Sequence, residues 1–513
     1  MGHPAQLTGG GPSTLGRMSE QRDSEVTAAP PSDQTSYDIP MSAQLRAAIA
    51  RDWDPAPPMP HPARADVAPR AAARRAALSA KFPHQLIVVP AGNLKVRAND
   101  TEYAFRAAGS FTWLTGETVA DAVLVMTPIG AGHDATLYVR EYAGPGEPNY
   151  FLSRKHGALW VGNVPTARET EDLLGLPTRG LGELGAALWP WRDAPVAVLR
   201  GFDSAVDTLL PQSRDTELAQ TLDELRLAKD SWEIDRLRDA CAATARGFAD
   251  VARELPNVVG RTDLRGERWL EGTFWRRARL EGNDVGYTSI VGAGRDGTVL
   301  HWMRNHNAVA PGALLLADMG VETDELYTAD VTRTMPVSGA YTPDQLRVYR
   351  AVYEAQEAGI AEVKAGADFL AAHRAATWVL ADHLHSWGIL PVTADVSCAD
   401  NPEAPGAGLH RRYTLHGVSH MLGIDVHDCA KARDETYRDG KLAAGHVLTV
   451  EPGLYFQVND RTVPPELRGI AVRIEDDIWT TEGAPVNLSA GLPRHPDEVV
   501  AWLRETQEAP AQL

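Results

Sequence analysis

A chain of 513 residues exceeds one ordinary hydrophobic core, and with 44% hydrophobic residues it can fill two, so two globular domains are expected. Its 50 Lys and Arg against 68 Asp and Glu leave a net charge of −18, which excludes a general electrostatic grip on nucleic acid or an anionic membrane and makes small cationic groups or metal ions the better guests. Three widely spaced cysteines, Cys241, Cys398 and Cys429, exclude a disulfide framework and a CxxC metal site; they read as packing residues of a cytoplasmic protein.

In chain order, residues 1–36 are rich in Gly, Pro, Ser and Thr and predict a disordered tail, with Met18, opening "MSEQRDSE", as a second candidate start. From 37 to about 85, stretches such as "APRAAARRAALSAKF" predict helix. "QLIVVPAG", "AVLVMTP" and "TLYVRE" then read as strands alternating with helix-like segments such as "ARETEDLLG", which makes 37–228 a small α/β domain. A long amphipathic pattern over 217–255 contains the linker, and "DSWEIDRLRD" within it reads as a solvated helix face. The second domain, 229–505, turns to strands and tight turns after 285, with helices expected near 342–364 and 367–387; it is α+β with a mainly antiparallel sheet, followed by a short tail at 506–513. The longest apolar runs, "GALLLA" and "AVLVM", fall short of the ~18 residues of a membrane span.

Four strand-like segments of the second domain each carry an acid at an unusual place. Asp318 ends "LLLAD" and Asp330 opens "DVTRT", with "VETDEL" as a turn between them; paired as a hairpin, the two segments would direct both carboxylates to one face. Glu451 follows "HVLTV" and Glu475 follows "IAVRI". A buried carboxylate without a partner costs several kcal/mol or takes up a proton, and only Arg473 and Arg333 stand close to these acids in sequence, so metal is the economical partner. Four carboxylates and an imidazole suit two adjacent divalent ions, manganese or cobalt rather than a thiolate-bound zinc. The imidazoles stand in "HGVSHMLGIDVHD": His420 is the best-placed ligand, flanked by His416 and His427, on a helix face or an irregular loop. Taken singly, His301 is an ordinary histidine, and Asp425, Asp428, Asp476 and Asp477 are caps, turn residues or partners of the ligands.

In order, "LHW", "LLLADMG", "TADVTRTMPVSG", "HGVSHMLGIDVHD", "TVEPGLY" and "VRIEDDI" resemble the catalytic signature of the pita-bread metallopeptidases, and most closely the aminopeptidase P family. "VRANDTEYAFRAAGSFTWLTG" and the closing "NLSAGLPRHPDEVVAWL" resemble that family's two flanks, so the likeness spans about 85–505. It implies a C-terminal pita-bread catalytic domain behind a smaller α/β, creatinase-like N-terminal domain that serves oligomerisation and substrate access. It implies two divalent ions, most simply Mn2+, held by Asp318, Asp330, His420, Glu451 and Glu475, with Asp330 and Glu475 shared. His301, His416 and His427 would line the substrate site, and Tyr287 and Arg473 would support the ligands. Arg473, two positions before Glu475, would share its face and make a charge contact with it. The "VETDEL" turn is one residue longer than the family pattern, which a turn tolerates.

The activity so implied is release of the N-terminal residue from peptides with proline second, by a homo-oligomer (dimer or tetramer) without nucleic-acid or membrane partners. Glu451 would carry the proton from water to the proline nitrogen, and His427 with His301 would stabilise the oxyanion. A prolidase shares the five ligands but takes only dipeptides, a creatinase-like amidinohydrolase shares the fold without metals, and pita-bread binding modules lack the ligands; the flanking matches favour the peptide-cleaving enzyme.

Overall fold

The computed structural model of the chain describes residues 41–54 and 66–509. The tail expected at 1–36 lies outside them. Among the described residues two compact units emerge, one of 41–54 with 142–163 and the other of 66–141 with 164–509, so the larger unit takes in most of both expected domains. In the smaller unit, Ser42 caps the helix Ala43–Ile49 through the Leu45 N–H, and the Trp53 ring meets Tyr150 edge-on at 5.6 Å between centroids.

The first half of the larger unit is α/β. Its five-stranded sheet has the order Thr178–Gly180, Gly132–Val139, Val123–Ile129, Leu86–Pro90, Val196–Val198, with parallel pairing at both edges and antiparallel pairing within. The "ARETEDLLG" helix spans Ala167–Leu174 because its ends are specified chemically: Thr166 and Glu169 form a reciprocal capping box, and Gly175 closes it in the left-handed region at φ 57°.

The long pattern over 217–255 is two helices, Asp215–Arg226 and Ser231–Val258. The break falls at Asp230, whose carboxylate caps the Trp232 and Glu233 N–H groups while Glu233 returns a bond to the Asp230 N–H. Pro256 does not end the second helix. Its ring removes the donor that would serve the Ala252 carbonyl, and Gln507 Nε2 takes that carbonyl instead at 3.1 Å. Nor is "DSWEIDRLRD" wholly a solvated face: Glu233 is buried and accepts from Tyr327 OH at 2.8 Å and Trp113 Nε1 at 3.2 Å, with the Arg74 guanidinium 3.2 Å away. Three donors satisfy a charge that burial would otherwise penalise.

In the second half the strands pair antiparallel, and the isolated Val259–Val309 bridge is parallel. Ile290–Ala293, Leu314–Met319 and Val331–Pro336 form one sheet, Val447–Val450, Asp476–Trp479 and Val486–Asn487 another, and Gly453–Tyr455 pairs with Ala471–Arg473. The helices Pro343–Ala361 and Ala371–Ser386 share a core with these strands in which Val348, Val352, Leu380, Leu448 and Ile478 are fully buried. The closing helix Pro496–Glu508 runs past the boundary expected at 505.

This half also places a titratable group where pH reads out stability. His446 is 5% exposed, and burial, with Lys229 adding charge repulsion, pushes its imidazole down from 6.5 to about 4. The unfolded chain therefore binds a proton that the native state refuses between those values, so the residue's contribution is intact above pH 6.5 and lost as pH falls towards 4. His446→Gln should remove about 2 kcal/mol of the stability difference between pH 7 and pH 5, measured by urea unfolding of both proteins. An unchanged acid limb would contradict it.

Candidate active site

Register explains how the acids meet. Asp318 pairs opposite Thr332 in the hairpin of Leu314–Met319 with Val331–Pro336, and Asp330 lies two residues before Thr332, so both carboxylates emerge on one face. The intervening turn closes through the Thr323 and Tyr327 backbones, with Leu326 at φ 70°, and this turn absorbs the long "VETDEL" segment. Gly320 is required here: a Cβ would collide with the Ala329 carbonyl across the hairpin. Val450 pairs with Asp476, which sets Glu451 and Glu475 on consecutive ends of two neighbouring strands, and the Glu475 N–H is bound to the Thr332 carbonyl at 3.1 Å.

The histidine segment is a loop. The His420 carbonyl accepts the Thr449 N–H at 2.9 Å and Met421 bridges Leu448, so His420 is pinned beside the strand that delivers Glu451. Its Nε2 lies 3.3 Å from Asp330 Oδ2 and 3.7 Å from Glu451 Oε1. Asp330, His420 and Glu475 each offer a ligand atom within 4.8 Å of the others. One cavity of about 440 Å3 is lined by Asp318, Asp330, His420, Glu451 and Glu475, and also by Tyr287, His301, His416, His427 and Arg473.

The electrostatics favour a cation. Of the two arginines near the acids in sequence, Arg333 is committed elsewhere, to Asp476 at 2.8 Å and to the Glu475, Leu492 and Pro493 carbonyls. Arg473 alone faces four carboxylates. Burial first, and then a neighbouring carboxylate in each case, hold Asp330, Glu451 and Glu475 well above the usual carboxylate range. A divalent ion among these oxygens would invert that balance, and the oxygen-rich donor set with one imidazole fits such ions.

Arg473 is oriented differently from the expectation. Its guanidinium pairs with Asp318 Oδ2 and donates to Thr332 Oγ1 and Tyr455 OH, each at 3.0 Å. Glu475 is held instead by the Thr332 hydroxyl at 2.6 Å. Sharing a strand face fixed the direction of Arg473, but the hairpin brings Asp318 nearer and interposes Thr332. Tyr287 OH donates to the other Asp318 oxygen at 2.6 Å, so that carboxylate is fixed at both ends. His416 Nδ1 donates to the Gly417 carbonyl and its Nε2 accepts from Tyr455 OH, both at 2.7 Å, and burial then Arg473 push this imidazole down to about 4. His427 is exposed at the rim with its ring 4.4 Å from that of His420; what burial it has, then His420 and His301, lower its proton affinity. His301 is exposed beside it on the cavity wall.

Sequence reasoning missed Thr332 and Tyr455, whereas Asp477 stood among the acids expected as caps, turn residues or partners of the ligands. Thr332 was within reach, being two residues from Asp330 on one strand. Asp477 Oδ2 accepts the Asp330 N–H at 3.1 Å and the Cys241 thiol at 3.2 Å, so it supports a ligand through its backbone. Asp476 is an ion-pair partner of Arg333, and Asp425 and Asp428 pair with arginines of the first half rather than acting as caps.

Residues 235–482 match the family model "Metallopeptidase family M24", and 71–182 match "Aminopeptidase P, N-terminal domain". Xaa-Pro aminopeptidase 2 of Streptomyces coelicolor is 49% identical over 472 residues, covering 90% of this chain and 96% of that protein. Xaa-Pro aminopeptidase of Escherichia coli is 31% identical over 449 residues, covering 84% and 96%. Among solved structures, aminopeptidase P from E. coli with the inhibitor Pro-Leu superposes with a TM-score of 0.75 at 27% identity, over 86% of this chain and 99% of that one. Its fold is accordingly the pita-bread fold behind an aminopeptidase P N-terminal domain, and the chain belongs to the aminopeptidase P family of M24 metallopeptidases.

Proposed function

We propose that this chain is a metal-dependent Xaa-Pro aminopeptidase, a hydrolase that releases the N-terminal residue from peptides with proline at the second position. The observation that carries the reading is the convergence of five ligand-type side chains and five supporting ones on one cavity, in a chain about half identical to proteins of that name.

Asp318, Asp330, His420, Glu451 and Glu475 would hold two divalent ions, Mn2+ in the cell. When bound, such ions polarise a carbonyl and bring the pKa of water near neutrality. The chain's own residues do the rest. The Xaa-Pro bond is a tertiary amide whose nitrogen carries no N–H, so a site for it must not depend on that donor. Leu300, Met303 and Val426 give the cavity an apolar wall for the pyrrolidine ring. Glu451 takes the proton of the attacking water and passes it to the proline nitrogen, which must be protonated to leave as an amine. His427, with His301 beside it on the cavity wall, donates to the oxygen that gains charge and stabilises it. Tyr287 and Arg473 hold Asp318, and Tyr455 holds His416.

This reading assigns the catalytic module to 229–505 and oligomerisation and substrate access to 37–228, in a cytoplasmic homo-oligomer whose size light scattering would measure. No helix among the described residues is long and apolar enough to cross a membrane. The deciding experiment is cleavage of an Xaa-Pro-Xaa tripeptide by chelator-stripped protein with and without manganese, beside an Xaa-Pro dipeptide. Metal-dependent release from the tripeptide is expected. Cleavage of the dipeptide alone would make it a prolidase, and no cleavage a binding module. His427→Ala should lower turnover roughly a hundredfold at unchanged metal content, since it removes one donor to the developing charge; full activity would refute that role.

A further inference from the structure

Adjoining the cavity of the five acids and histidines is a second cavity, of about 530 Å3, and the two share His416, Gly417 and Ser419 as a common wall. In a chain of net charge −18, none of the described residues that line it is an Asp or Glu. Of its arginines, Arg374 is paired with Asp368 at 2.9 Å, whereas Arg411 and Arg438 have no carboxylate partner among the described residues.

His373 Nδ1 accepts the Val418 N–H at 3.3 Å, which leaves the proton of the neutral ring on Nε2. His410 Nδ1 lies 2.9 Å from Ser397 Oγ, which itself accepts the His410 N–H at 3.0 Å, so this nitrogen is engaged by the hydroxyl. Thr414 is 3% exposed, and among the described residues its hydroxyl has no hydrogen-bond partner, nor has the Ser419 hydroxyl on the shared wall. Buried hydroxyls without partners are uncommon in native proteins. Two of them lining one cavity with two guanidiniums that have no carboxylate partner among the described residues describe a site for oxygen acceptors carrying negative charge, and Phe369, Trp378 and Leu415 supply apolar surface around it.

We propose that this second cavity binds a carboxylate of the substrate on the C-terminal side of the scissile bond, with Arg411 and Arg438 as charge partners and Thr414 and Ser419 as hydroxyl donors. The assignment rests on the aminopeptidase reading. An aminopeptidase has one residue and a cationic amine before the scissile bond, and that amine suits the acidic cavity. Negative charge further along the peptide belongs to the residues after proline. The carboxylate has two sources, the α-carboxylate of a short peptide or an acidic side chain of a longer one.

The test compares Ala-Pro peptides of three to five residues as free acids, as C-terminal amides, and as amides carrying one downstream Asp. Each is assayed with the wild-type protein, Arg411→Gln, Arg438→Gln and Thr414→Val. The expected result is a kcat/KM about tenfold higher for the acid than for the amide, expressed in KM, falling towards parity in the arginine variants while cleavage of the amide is unchanged. Rescue of the amide by the downstream Asp would identify the side chain as a source, and no rescue would identify the α-carboxylate. Calorimetric binding of Pro-Ala-Ala acid and amide to chelator-stripped protein gives the same comparison without turnover. Equal handling of acid and amide, a ratio unmoved by both arginine substitutions, or an arginine-dependent preference for an acidic first residue would overturn the assignment. Acid-selective binding that depends on Arg411 in a protein that cleaves no peptide would overturn the aminopeptidase reading and leave the carboxylate site standing.

Discussion

Glu451→Gln should lower turnover of a tripeptide by about 10²–10⁴-fold, the range that one positioned proton-transfer group contributes, while the protein stays folded and keeps part of its metal. Glutamine matches glutamate in size and retains an oxygen that can face an ion, but it cannot receive a proton from water and return it to the proline nitrogen. The residue is also held in place by its backbone, through the N–H bond to the Val418 carbonyl at 2.8 Å, which the substitution leaves intact. Turnover and metal content should therefore separate: kcat on a tripeptide collapses, whereas metal measured by atomic emission after gel filtration falls only in part. Asp330→Asn provides the contrast, because Asp330 shares the tightest donor cluster with His420 and Glu475 and should lose metal and activity together. Full activity of Glu451→Gln would remove Glu451 from the proton path, and equal loss of metal in both variants would make it a ligand alone.

How much of this could be read from the chain depends on which interactions are local. The acids Asp318 and Asp330 are legible because strand parity and a turn between apolar runs suffice to place two side chains on one face. Glu451 and Glu475 stand out because each ends an apolar strand. The helix break at Asp230 was equally available, since "DSWE" is a capping box, but the amphipathic pattern runs through it and hides it. Other features are set by distant packing. Which carboxylate Arg473 binds depends on the hairpin bringing Asp318 across Thr332, and Gln507 rescuing the carbonyl before Pro256 depends on a helix some 250 residues later in the chain. Tyr455, four residues after Glu451, reaches His416 and Arg473 only because Gly453–Tyr455 pairs with Ala471–Arg473. The second cavity had no signature in sequence, because its groups come from the helix that bears His373, the stretch from Arg411 to Ser419 and the segment of Arg438, which converge only in the fold.

The same distinction governs the largest expected loss of stability, at Asp428→Asn. The carboxylate is almost fully buried with the Arg226 guanidinium and 2.9 Å from the Lys229 ammonium, on the segment that also carries His420 and His427. Gly423 lets the chain pass at this point, since a Cβ there would collide with the Asp428 carboxylate and the Lys229 side chain. Burial alone would raise the Asp428 carboxyl, but Arg226 and then Lys229 outweigh it and hold the group down at about 2. Its contribution is thus present above the unfolded value near 4 and lost as pH falls towards 2, so it is complete at pH 7. Asparagine keeps the shape but leaves the buried Lys229 ammonium without a carboxylate partner and Arg226 with only Asp425 and Asp223, a loss of about 3–5 kcal/mol by urea unfolding at pH 7. Asp425→Asn should cost much less, because Asp425 is a third exposed and leaves Asp428 in place for Arg226. Combining Asp428→Asn with Lys229→Met removes the stranded charge and should recover part of the loss. A single-variant loss below about 1 kcal/mol, or no recovery in the double variant, would mean that water reaches the pair and that the loop bearing the histidines is held by packing rather than by charge.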